Sequence, residues 1–183
     1  TACEDPDKAP IVTSDSAIKG GYPRFAGDVG ERNINFFDIA SSTYTYSVTF
    51  YDGVNGDRVM EYTLELTYTD VNGVNSAGPI EYKKYSSSEF GTDADGNKGV
   101  FDIALRATEM IAAVGLTEAQ INASDRFTIS TSILLDDGNV YTDDNSAAAV
   151  TQDAFQGLFT INIPVICPSD LAGTYNTATV PWC

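Results

Sequence analysis

The stretch Arg126-Phe127-Thr128-Ile129-Ser130-Thr131-Ser132-Ile133-Leu134-Leu135, followed by the turn Asp136-Asp137-Gly138 and by Val140-Tyr141, decides the fold class. Phe127, Ile129, Thr131, Ile133 and Leu135 share one face, while Thr128, Ser130, Ser132 and Leu134 share the other. A period of two over ten residues reads as a half-buried strand, and the Asp-Asp-Gly turn sends the chain back into a short returning strand. A polar, Ala-rich loop follows from 142 to 156, and then Phe159, Ile161, Ile163 and Val165 mark a last strong strand. Pro164 interrupts it and cannot donate to a ladder, which predicts an edge position or a bulge. Ser124 to Cys167 therefore reads as the C-terminal half of an antiparallel sandwich.

Working back along the chain, Tyr44, Tyr46, Val48 and Phe50 alternate with Thr43, Thr45, Ser47 and Thr49. Beyond the turn at 52 to 57, Met60, Tyr62, Leu64, Leu66 and Tyr68 alternate with Glu61, Thr63, Glu65, Thr67 and Thr69. The two runs read as one long hairpin, the other half of the sandwich. Asn33 to Ile39 reads as the first strand of the folded body, and Phe101, Ile103 and Leu105 as a short one. Thr108 is placed to cap a helix running to Val114, with Gly115 as its stop. Thr117 and Gln120 then form a capping-box pattern, so 108 to 121 reads as a helical crossover between the two halves. Loops at 52 to 57, 70 to 79, 86 to 99 and 142 to 156 are left to carry function.

Composition narrows the chemistry. The 183 residues are 43% hydrophobic, enough for one sizeable core. A net charge of −16, from 26 acidic and 10 basic residues, repels nucleic acid and anionic membranes. Without a single histidine, the histidine-based triads and the usual zinc ligand are excluded. No pair of carboxylates stands out from a solvated acidic surface, so no catalytic residue is assigned and the chain reads as a non-enzyme. Asp93, Asp95 and Asn97 place oxygens at alternate positions, a spacing that can wrap calcium. Lys98 and Ala104 stand where an EF-hand loop needs Gly and Glu, and the competing reading is an Asp/Gly/Asn-rich turn between strands. No other cofactor is suggested.

At the start, Thr1-Ala2-Cys3 followed by Glu4-Asp5-Pro6-Asp7 resembles the end of a bacterial lipobox and the acidic signal that sends lipoproteins of the Bacteroidota to the cell surface. The alternative is an ordinary cysteine in an acidic terminus. The first reading makes Cys3 the lipidated residue, residues 1–30 a tether and edge segment, and 31–167 the β-sandwich domain. The tail from 168 to 183, beginning within Cys167-Pro168-Ser169-Asp170-Leu171-Ala172-Gly173-Thr174-Tyr175, then reads as the start of a second domain or an extension. With Cys3 lipidated, Cys167 and Cys183 are left as a pair that an exported protein can oxidise, worth roughly 3 kcal/mol in the chain-entropy picture.

Together with the segment FDIALRATEMIAAVGLTEAQI, these features resemble outer-membrane surface lipoproteins of the Bacteroidota, many of which accompany SusC/SusD-like uptake systems. The resemblance implies an immunoglobulin-like β-sandwich, anchored by lipid at the outer membrane and exposed at the cell surface. It also implies a non-catalytic accessory or interaction subunit whose partner is an outer-membrane barrel protein or another surface lipoprotein. A second expectation is a carbohydrate-binding module, with Tyr82, Tyr85, Tyr141 and Trp182 as candidates to stack on glycan rings. Against it stands the commoner role of a strand tyrosine as packing at the edge of a core.

Overall fold

The strand Arg126–Leu135 is central in the structure, a computed structural model that describes residues 20–153 and 155–168. The elements run β1 (Tyr22–Val29), β2 (Ile34–Asn35), β3 (Thr43–Tyr51), β4 (Val59–Thr69), β5 (Ala77–Ser86), β6 (Gly91–Thr92), β7 (Lys98–Arg106), α1 (Ala107–Ala113), β8 (Arg126–Leu135), β9 (Val140–Tyr141) and β10 (Thr160–Ile166). One sheet has the order β1-β3-β7-β6, and the other β2-β10-β8-β4-β5 with β9 also on β8. The named pairs are antiparallel apart from β2, which runs parallel to β10. This is the immunoglobulin-like arrangement, a β-sandwich in which β3 and β7 face β4 and β8 across the core.

Alternation fills that core. Tyr44, Tyr46, Val48 and Phe50 from one sheet meet Tyr62, Leu64, Leu66, Tyr68, Phe127, Ile129 and Ile133 from the other, all buried. Antibody domains join their sheets with a disulfide packed on Trp. Here the Tyr46 and Tyr62 hydroxyls meet across the core at 3.3 Å. Burial pushes both phenols well above their ordinary range.

The expected hairpin of 43 to 69 does not form. β3 pairs with β1 and β7, whereas β4 pairs with β5 and β8, so the two strands lie in opposite sheets. The cause lies in the intervening loop. The buried Asp52 carboxylate accepts from the backbone amides of Val54, Gly56 and Arg58, each at 2.8 Å, and holds a wide arch that crosses between sheets. Two strands with apolar faces gain more by facing each other than by lying side by side. Met60 also departs from expectation: a register shift between Val59 and Glu61 buries Val59 and leaves Met60 exposed.

Other boundaries move. The strand expected over Asn33 to Ile39 is reduced to Ile34–Asn35, while Tyr22–Val29 forms an eight-residue edge strand. The crossover helix begins at Ala107 with Arg106 as its N-cap, two residues before Thr108; Gly115 ends it with φ +75°. The Thr117–Gln120 capping box forms as expected, the Gln120 Oε1 accepting from the Thr117 amide at 3.0 Å. Pro164 sits near the edge: Val165 donates inward to the Asp125 carbonyl, so the proline nitrogen points away from β8.

Candidate binding surface

Register places the loops. Tyr22 pairs with Tyr51, Thr92 with Lys98 and Val59 with Leu135, so the loops at 52 to 58, 93 to 97 and 136 to 139 share the end where residue 20 enters. The loop at 70 to 76, the helix α1 and the exit after Ile166 lie at the opposite end. Three of the four regions left open for function by the sequence thus reach one surface, and the 70 to 79 loop does not.

This end is interlocked. The Lys98 amide donates to the Asn55 carbonyl at 2.8 Å, and the Lys98 ammonium lies 2.8 Å from Asp57. Arg58 Nε and Nη2 reach Asp136 and Asp137 at 3.1 and 2.7 Å. The amide of Asn139 and the Arg58 guanidinium hold the Asp137 carboxyl below its ordinary range. Asp93 Oδ1 accepts from the amides of Asp95 and Asn97 at 2.9 and 2.8 Å, and its Oδ2 from the Asn97 side chain at 3.0 Å. Those bonds, the Asn97 side chain's first, lower the Asp93 carboxyl as well. The structure therefore brings Asp93 and Asn97 together in a self-closed turn between β6 and β7. Among the described residues, no group of three or more His, Cys, Asp or Glu is placed to hold a metal ion.

An aromatic cluster lies on the outer side of the four-stranded sheet at this end. The Tyr22 and Tyr51 rings stack with centroids 5.5 Å apart, and Phe155 meets Tyr22 edge-on at 6.5 Å. The Arg24 guanidinium sits 5.5 Å from the Tyr51 ring centre. Tyr51 and Phe155, the two rings that meet Tyr22, remain 45% and 48% exposed. On the Tyr51 side opens a cavity of about 240 Å³ lined by Tyr51, Gly53, Asn55 and Asn97. On the Tyr22 side opens another of about 310 Å³ lined by Gly20, Tyr22, Tyr141, Asn145 and Ser146.

The expected glycan-contacting residues are dispersed. Tyr141 lines the second cavity beside Gly20, but Tyr82 and Tyr85 sit on β5, two strands away from β8 and its partner β9. Tyr85 stacks on buried Tyr62 with centroids 6.4 Å apart. The Tyr82 hydroxyl is buried with no hydrogen-bond partner among the described residues, and burial pushes it up to about 12. Both are packing residues at the core margin. Trp182, Cys3 and Cys183 lie outside the described residues, and Cys167 is exposed. The residues missed by sequence reasoning are Tyr22, Arg24, Tyr51 and Phe155. Tyr51 closes an alternating run on its polar side, the one signal that pointed outward.

No protein-family model matches the chain, and no curated protein matches it.

Proposed function

We propose that this chain is the non-catalytic binding domain of a surface-exposed outer-membrane lipoprotein, serving as an accessory or interaction subunit of a barrel complex such as a SusC/SusD-like uptake system. The observation that carries the reading is the interlocked loop end, where Arg58 ties one loop to the 136–137 turn and Lys98 ties it to another. Loops already fixed lose little entropy on association. The buried Asp52, Asp70 and Asp125 carboxylates all accept from backbone amides, which assigns them to holding loops in place. By analogy of fold alone, this is also the end that carries the recognition loops of antibody variable domains.

Lipid on Cys3 fits this geometry. Residue 20 enters at the interlocked end, and the residues between them span up to about 60 Å when extended, at roughly 3.5 Å each. An anchor there keeps the domain within that distance of the membrane and its barrel proteins. Mild extraction of native membranes followed by affinity purification tests the reading. A barrel protein or partner lipoprotein recovered with the chain, together with a lipid mass on Cys3, is the expected outcome; a free, unlipidated monomer contradicts it. The second reading, a carbohydrate-binding module, is favoured by the exposed Tyr22–Tyr51–Phe155 cluster.

A further inference from the structure

We infer that the Tyr22–Tyr51 stack and the two cavities flanking it form a binding strip for an uncharged oligosaccharide, with a pyranose ring seated on either side of the stack. The inference rests on the carbohydrate reading and gives it a site and a ligand class. Pyranose rings present C–H faces that pack on aromatic rings and a rim of hydroxyls that need donors and acceptors. Both requirements are met on each side. Tyr51 offers an aromatic wall beside the Asn55 and Asn97 amides in the cavity of about 240 Å³. Tyr22 and Tyr141 offer walls in the cavity of about 310 Å³, beside Ser146 and beside Asn145, whose side chain keeps one N–H and one lone pair after bonding the Val140 carbonyl and the Thr142 amide. Tyr22, which lines one cavity, stacks on Tyr51, which lines the other, so the pair of rings joins the two sites.

Charge selects among polymers. A net charge of −16 penalises a polyanionic chain over a Debye length of roughly 8 Å at physiological salt, whereas an uncharged glycan feels no such field. Arg24, over Tyr51, adds donors that suit hydroxyl oxygens equally well. Gly20 keeps the floor of the second cavity open, since a Cβ there would stand 3.0 Å from the Tyr141 ring.

Affinity electrophoresis of the full chain tests this, in native gels containing dextran, galactomannan, xyloglucan or laminarin, with polygalacturonate as the polyanion. At least one uncharged polymer is expected to retard the chain. Tyr22→Ala and Tyr51→Ala should each weaken that retardation at least about tenfold, whereas Phe37→Ala, at the opposite end, should preserve it. Circular dichroism of each variant identifies any that fails to fold, in which case Gly20→Val, which fills one cavity, takes its place. Retardation that survives Tyr22→Ala and Tyr51→Ala overturns this site but leaves a carbohydrate-binding module standing. Retardation by none of the uncharged polymers, or by polygalacturonate alone, overturns the ligand class. Neither result touches the barrel-complex reading, which stands or falls on copurification.

Discussion

Asp52 is the residue on which the topology turns, because its carboxylate gathers three amide donors at 2.8 Å while only 2% exposed. Removing it orphans those donors; a hydrogen bond to a charged group contributes about 1.5–3 kcal/mol net, and water entering the vacated site recovers part of the three. Asp52→Ala should therefore lower unfolding stability by roughly 3 kcal/mol in urea denaturation. A loss below about 0.5 kcal/mol, the size of an ordinary surface change, would mean that the arch holds itself. Tyrosines give a second residue-scale expectation. Burial first, then a hydrogen bond to Asp28, pushes Tyr44 to about 12, and burial raises Tyr46, Tyr62 and Tyr68 as well. Their folded values exceed the unfolded value near about 10, so the stability linked to them is complete below that pH and is lost as pH rises from about 10 through 12. Phenolate absorbance should appear late and cooperatively, together with loss of near-ultraviolet circular dichroism. Ten tyrosines titrating smoothly near pH ~10 would refute this.

Among the elements, alternation proved readable, as did the short return of β9 onto β8, whereas the pairing of β3 and β4 did not. Phe127, Ile129, Thr131, Ile133 and Leu135 are all buried, as their spacing demands, and Tyr141 returns opposite Ile133. Periodicity reports which face of a strand is apolar; it says nothing of whether the next strand lies beside it or across from it. The partner of β4 was decided by Asp52 and by the bulge at Met60, and neither leaves a periodic trace. For the same reason the binding surface was half legible. Loops at 52 to 57, 86 to 99 and 142 to 156 were marked by their composition, but the meeting of Tyr22 with Tyr51 depends on β1, which composition marked as an edge segment without naming its partner strand. Gly99 is a further element-scale constraint: an added Cβ would collide with the Val48 carbonyl oxygen and stand 2.9 Å from the Thr49 Cα, beside the register shift of β3 on β7. Gly99→Ala should cost on the order of 3 kcal/mol by thermal or urea unfolding, since backbone rather than a flexible side chain must move. Full stability in this variant would show that the two strands have room to separate.

Seen whole, the molecule is a sandwich whose entry and exit lie at opposite ends, with its long edges differently guarded. The loop at 156 to 158 covers β1, Phe25 donating to the Gln156 carbonyl at 3.1 Å and Leu158 to the Pro23 carbonyl at 2.8 Å. On β5, register shifts and the charged Lys83 and Lys84 discourage strand addition. The interlocked end keeps its aromatic cluster exposed. Site-specific photo-crosslinking in the native host asks whether this is the end that binds. A benzophenone attached through Val54→Cys, at that end and 45% exposed, is compared with one attached through Val74→Cys, at the opposite end and 80% exposed. A discrete crosslinked partner, protein or polysaccharide, from position 54 and none from position 74 is the predicted result; adducts from position 74 alone, or from neither, would contradict it.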